Sequence, residues 1–193
     1  MYIAIEGIDT AGKSTQIARL SEAYPNAVVT KEPGATKIGE KIRDIVLSGE
    51  VQSPKAEFLL FLADRAEHMQ EVVLPNQEKL VISDRSVVSG VAYALVQESI
   101  TERAILDLNR FATDGNYPQI LFLLQLSEKE LTYRLSQKEL DGIELRGTKY
   151  LLEIQEALIK AAKLLDIELI IIDASNPIEA ITEEIINKIK ETK

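Results

Sequence analysis

Residues Gly7-Ile8-Asp9-Thr10-Ala11-Gly12-Lys13-Ser14 spell G-x-x-x-x-G-K-[ST], and this pattern with its flanks restricts the fold more than any other stretch. Before it runs Tyr2 to Glu6, a β-branched apolar segment of strand length; after it, Lys13 to Tyr24 has helical character. A strand that feeds a helix through such a loop is the opening unit of a parallel α/β sheet. Glycines let the backbone curl round an anion, the N–H groups at the helix start point at it, and the helix dipole adds favourable potential. In such a loop Lys13 would reach the β- and γ-phosphates of a nucleoside triphosphate, and the Ser14 hydroxyl would hold Mg²⁺. The candidate triphosphate site is therefore Gly7, Ile8, Asp9, Thr10, Ala11, Gly12, Lys13 and Ser14.

The remaining chain repeats the same alternation. Strands are expected at about Ala27–Thr30, Leu80–Ser83, Gln119–Leu126 and Ile167–Ile172, making five parallel strands with Tyr2–Glu6. Helical patterns fall near Gly39–Leu47, Pro54–Val73, Ser89–Gln97, Thr101–Thr113, Glu128–Lys138, Thr148–Leu165 and Ile178–Lys190. Ser53-Pro54 reads as a cap before a first-turn proline, and Ser127 with Glu130 as a capping box. The 193 residues fit one domain, 1–193, better than two. A net charge of −9 would repel a polyanion, which argues against a nucleic-acid partner while leaving room for a cationic pocket. With no cysteine, disulfides, thiolate metal sites and a cysteine nucleophile are ruled out, and a reducing, cytoplasmic setting is compatible. No signal-peptide pattern opens the chain and no run approaches the ~18 apolar residues of a membrane span, so no membrane partner is expected.

Other positions suggest a second substrate. The apolar run Leu80-Val81-Ile82-Ser83 ends in Asp84, where a carboxylate orders Mg²⁺ or its water beside a P-loop, although such an aspartate also serves as a plain cap. The guanine-reading motifs of a switch GTPase are absent: Asn187-Lys188-Ile189-Lys190 lacks the aspartate and sits on the last helix. A small kinase needs cations for an acceptor anion. Lys31, Arg43, Arg65 and Arg85 are available, with Lys31 and Arg85 expected at the same crevice as the P-loop. On the long helix, Leu59, Leu62, Ala66, Met69 and Val73 keep helical spacing and predict a buried stripe. Phe61 and Arg65 lie one turn apart on an adjacent face, which suits a base and a phosphate but fits a core Phe with a surface Arg better. Residues 137–149, polar with Gly142 and Gly147, read equally as a lid or a solvated turn. His68, the single histidine, is expected to be buried or on the helix surface rather than catalytic.

Taken in order, Glu6 to Gln16, Lys31-Glu32-Pro33-Gly34-Ala35-Thr36, Ile42-Arg43, Phe58 to His68 and Ser83-Asp84-Arg85 make the chain resemble the bacterial thymidylate kinases over essentially its whole length. That resemblance implies a three-layer P-loop kinase fold with a short lid, ATP as phosphoryl donor with Mg²⁺ on Ser14 and Asp84, and dTMP as acceptor. It extends the ATP site to Thr15 and implies a dTMP site of Asp9, Glu32, Pro33, Arg43, Phe61, Arg65, Arg85, Gly90 and Tyr93. Within it, Asp9 would hold the sugar 3′-hydroxyl, Phe61 would stack on thymine, and Arg43 and Arg85 would grip the acceptor phosphate. It also implies a homodimer built on the long helices. The chain departs from the usual pattern at Lys31, Ala35 and Ser86, and it carries neither standard arginine: Thr10 stands in the P-loop, and Asp141-Gly142-Ile143-Glu144 stands in the lid. Lys13 and Arg85 would then supply the core charge, with Arg134, ahead of Lys138, Arg146 or Lys149, closing on the transferring group. Alternatives are a kinase for another monophosphate or a deoxynucleoside, or a non-catalytic ATP-binding protein.

Overall fold

The computed structural model describes residues 1–137 and 145–192. Strands β1 (Tyr2–Glu6), β2 (Val28–Lys31), β3 (Val81–Asp84), β4 (Ile120–Gln125) and β5 (Glu168–Asp173) form one parallel sheet in the order β2-β3-β1-β4-β5. Each lies within one residue of its expected ends. β1 is wholly buried and β4 nearly so, as central parallel strands covered on both faces must be. β1 runs between β3 and β4, so the loop leaving its tip opens into the crevice at the carboxyl end of the sheet.

The helices are α1 (Lys13–Ala23), α2 (Lys37–Leu47), α3 (Pro54–His68), α4 (Val87–Gln97), α5 (Glu102–Thr113), α6 (Glu128–Leu135), α7 (Thr148–Leu164) and α8 (Ile178–Glu191). α1 packs with α8, while α3, α4, α5 and α7 pack among themselves, completing three layers about the sheet. α2 and α4 start two residues earlier than the apolar periodicity indicates because side chains cap them. Thr36 Oγ1 accepts from the Gly39 amide at 2.9 Å, and Ser86 Oγ from the Val88 amide at 3.2 Å. Of the expected capping box, Ser127 accepts from the Glu130 amide at 3.2 Å, but the Glu130 carboxylate turns to Arg134.

Two expectations for the long helix are corrected. α-Helical geometry stops at His68, and a π-helical turn, Met69–Val73, follows. The expected stripe also splits: Leu62, Met69 and Val73 are buried, but Leu59 is 55% exposed and Ala66 is exposed as well. Phe58, Leu62, Arg65 and His68 form the inward face instead, because α4 and α5 pack on α3 and His68 meets Thr30 of β2. Residues 138–144 of the expected lid, Lys138 among them, lie outside the described residues.

Ile3, Ile5, Ile82, Phe122 and Leu124 are fully buried, and each such side chain contributes about 1.5–3 kcal/mol. Thr10 (φ 69°) and Arg85 (φ 66°) are left-handed non-glycine residues at the sheet's carboxyl edge, each costing about 1–3 kcal/mol. A handful of core side chains offsets both.

Candidate active site

The P-loop passes so close to β4 that a Cβ on Gly7 would sit 2.8 Å from the Leu124 carbonyl oxygen. Gly12, at φ 98°, forms the N-cap of α1, whose first turn carries no acidic residue. The helix N-terminus therefore presents bare amides to an anion. Ile8 and Ala11 turn into the core, so they and Gly7 offer only backbone, whereas Asp9, Thr10, Gly12, Lys13, Ser14 and Thr15 line the cavity. Lys13 Nζ folds onto the carbonyls of Gly7 (2.9 Å) and Ile8 (3.2 Å). Burial, with the Arg85 charge adding to it, pulls its ammonium down to about 8.

Facing the loop, Arg85 Nη2 donates to Asp9 Oδ1 at 2.8 Å and Nη1 to Ser89 Oγ at 3.2 Å. Beneath them lies Glu6, fully buried at the end of β1. Its carboxylate accepts from the amides of Ser86 (2.9 Å) and Ser89 (3.2 Å) and from both hydroxyls (3.1 and 2.6 Å). Burial raises the Glu6 carboxyl despite these bonds. One carboxylate thus locks the start of α4, which carries Ser89, Gly90 and Tyr93, to the strand that carries the P-loop.

The cavity continues away from the P-loop, about 830 Å³ in all, between α3 and α4. All nine positions expected to hold the acceptor line it: Asp9, Glu32, Pro33, Arg43, Phe61, Arg65, Arg85, Gly90 and Tyr93. Arg43 Nη1 donates to the Pro33 carbonyl at 3.2 Å. Arg65 is 3% exposed, not the surface arginine that spacing alone favours, and its Nε donates to Glu32 Oε2 at 2.9 Å. Glu32 Oε1 meets His68 Nδ1 at 2.9 Å, and His68 Nε2 meets Thr30 Oγ1 at 2.8 Å. Burial pushes the Glu32 carboxyl up, but Arg65 and His68 outweigh it and hold it below the usual range. His68 is buried, one of the two placements expected, in a supporting role behind the cavity wall. The Tyr93 hydroxyl, buried and without a partner among the described residues, is pushed up to about 12, mainly by burial.

Lys31 is exposed and not part of this lining, contrary to the expectation that it faces the P-loop crevice: strand alternation buries Thr30 and turns Lys31 outward. Arg134 reaches the P-loop with three of its five N–H groups engaged. It donates to the Thr10 carbonyl (3.0 Å), the Ala174 carbonyl (2.7 Å) and Glu130 Oε1 (2.7 Å). Arg146 lies on Tyr150, 5.0 Å from the ring centroid. Phe58, Asp64, Ser89 and Gln97 line the cavity without having been singled out. Ser89 stands four positions after Arg85, and that closeness in the chain was the available signal.

Asp84 closes β3 next to β1, with Oδ1 buried and unpartnered among the described residues. Ser14 is exposed in the first turn of α1. Among the described residues no cluster of three or more acidic or histidine side chains could cage a metal. Two hard oxygen donors beside a phosphate cradle fit Mg²⁺, which keeps waters and binds chiefly through phosphates.

The thymidylate kinase family model matches residues 5–185. A thymidylate kinase of Sulfurimonas denitrificans is 69% identical over 189 residues, spanning 98% of this chain and 99% of that one. One from Wolinella succinogenes is 51% identical over 187 residues, 97% of each. The crystal structure of thymidylate kinase from Ehrlichia chaffeensis superposes with a TM-score of 0.74 at 29% identity, covering 98% of both chains. Among the described residues no helix is long and apolar enough to cross a membrane. A P-loop and a cation-lined cavity on one three-layer α/β fold agree with these matches: the chain belongs to the thymidylate kinase family.

Proposed function

We propose that the chain transfers the γ-phosphoryl of ATP to dTMP, giving dTDP, with the whole chain acting as one domain. The observation that carries this reading is one continuous cavity. It opens at the P-loop with Lys13, passes Arg85 and Arg43, and ends at Phe61 beside Arg65. ATP lies on the loop from Gly7 to Thr15, its phosphates on the backbone amides and Lys13. Ser14 and Asp84 would hold Mg²⁺, which when bound would supply positive charge to the donor phosphates. In the acceptor half, Arg43 and Arg85 hold the dTMP phosphate, Asp9 meets the sugar hydroxyl, and Phe61 stacks on the base. Arg65 donates to a base carbonyl, with Glu32, Pro33, Gly90 and Tyr93 completing the pocket. Little covalent chemistry is needed, since alignment and charge cancellation on the transferring group supply most of the rate. Lys13 and Arg85 flank that group. Arg134 braces the P-loop through Thr10 and keeps two further N–H groups with which to meet a phosphate.

Two further readings belong to this proposal. The outward strip Leu59, Ala63 and Ala66 of α3 is an apolar surface suited to a second copy of the chain. Sedimentation of a dimer at micromolar concentration is the expected result. Because ATP and Mg²⁺ are cytoplasmic solutes, the cytoplasm is its working compartment, to be checked by cell fractionation. The deciding assay offers ATP and Mg²⁺ with dTMP, dUMP, dCMP, AMP, GMP or thymidine and follows ADP. Fast turnover with dTMP is expected. Preference for another acceptor, or ATP binding without turnover, refutes the reading.

A further inference from the structure

A guanidinium recognises a ligand group only if it is held still, and the support of Arg65 comes partly from a residue outside the cavity. Arg65 Nε donates to Glu32, and Nη1 donates to Asn109 Oδ1 at 2.5 Å. Asn109 is on α5, is 0% exposed, and does not line the cavity. Its Nδ2 donates to the Ile105 carbonyl at 2.7 Å one turn back. Because arginine can only donate and a backbone carbonyl can only accept, these partners fix which way the Asn109 amide faces. The third edge of the fork lies against α4: a Cβ on Gly90 would stand 2.5 Å from Arg65 Nη2. Helices α5 and α4 and the Glu32 carboxylate thus hold the fork on three sides, and Arg65 lines the cavity together with Phe61.

We infer that Asn109 is a positioning residue that sets the acceptor specificity of the site by locking the Arg65 guanidinium in its base-facing orientation. A charged donor buried at the cavity wall loses the same hydration wherever it points, so a fixed direction is what makes it selective. Held in place, it accepts a base that offers a carbonyl at the 4-position, as thymine does, and disfavours cytosine, whose amino group there only donates. Released from Asn109, Nη1 can swing, and the discrimination weakens. The inference rests on the reading of Arg65 as the group facing the base.

The test compares the full-length enzyme with Asn109→Leu, Asn109→Asp and Arg65→Gln, using dTMP and dCMP as acceptors. Asn109→Leu is expected to raise the KM for dTMP roughly tenfold, the size of one lost charge-assisted hydrogen bond, and to lower the dTMP:dCMP ratio of kcat/KM by a similar factor. kcat and the KM for ATP should change little. Asn109→Asp keeps an acceptor for Nη1 and should return both quantities towards wild type, which general loosening of the fold would not do. Should Asn109→Leu fail to fold, Asn109→Ala takes its place in the same comparison. If Arg65→Gln raises the KM for dTMP while the Asn109 variants leave KM and the acceptor ratio at wild type, Asn109 has no such role. The same holds if Asn109→Asp fares no better than the apolar variant. If Arg65→Gln itself leaves the KM for dTMP unchanged, the reading of Arg65 fails and the inference with it.

Discussion

Gly90→Ala tests the placement of Arg65 with a single methyl group. Gly90 lies inside α4, where the added Cβ would stand 2.5 Å from Arg65 Nη2 and 3.1 Å from Cζ, whereas ordinary contact begins at 3.4 Å. The terminal nitrogen must therefore retreat by about 0.9 Å, the difference between those distances. A free arginine end would turn aside at little cost, but this one is bonded to Glu32 and Asn109 and can retreat only by stretching them. Misplacement of a recognition group by 1 Å costs up to about 10²-fold, so kcat/KM for dTMP should fall between tenfold and a hundredfold. The helix responds in the opposite direction, because alanine inside a helix gains about 0.5–1 kcal/mol over glycine. Overpacking and strain in the two buried bonds cost about 1–3 kcal/mol, more than the helix gains, so the expected result is a large rise in the KM for dTMP, an unchanged KM for ATP, and a lowered Tm. Steady-state kinetics with each substrate varied in turn, together with a thermal melt, would read all three. A KM for dTMP within twofold of wild type would refute the placement of Arg65, and a raised Tm would refute the claim that its guanidinium is held fixed.

Lys13, held near 8 by burial and by Arg85, should take up protons when triphosphate binds, since phosphate oxygens restore its ordinary preference for charge. Calorimetric titration of ATP at pH 8.5 in buffers of different ionisation enthalpy should show proton uptake, and buffer-independent heats would exclude it. The same shift acts on the free protein. Its folded pKa lies below the unfolded 10.5, so the folded state binds fewer protons and stability should rise between pH 8 and 10.5 from this group. Glu6→Ala removes the acceptor for two buried amides and two hydroxyls at the start of α4, and should cost at least about 3 kcal/mol in urea unfolding. A loss under about 1 kcal/mol would mean that water or neighbouring groups replace it. Arg134→Ala leaves the Thr10 and Ala174 carbonyls without that donor, and is expected to raise the KM for ATP and lower kcat while sparing the KM for dTMP. Unchanged kinetics would remove Arg134 from the site.

Local features were legible because their chemistry is local. The strand, glycines, lysine and helix of the P-loop lie within a few residues of one another, and each β-branched run pairs as its composition indicates, so the strands and the P-loop end of the cavity could be read directly. Where a side chain caps a helix, as Thr36 and Ser86 do, apolar periodicity placed the helix start late because a cap is polar. The long helix misled for another reason. Both Leu59 and Leu62 are apolar, and spacing gives the faces of a helix without saying which one the sheet will cover. Tertiary structure alone decided the rest. Glu6 meets Ser86 and Ser89 across some eighty positions of chain, and Arg65 meets Asn109 across 44, at spacings with no period to detect. The amino-acid sequence by itself determined that a glycine-rich loop would join the tip of β1 to a helix; only packing of α3 against α4 and α5 turned Arg65 from a helix-surface arginine into a fixed, buried donor.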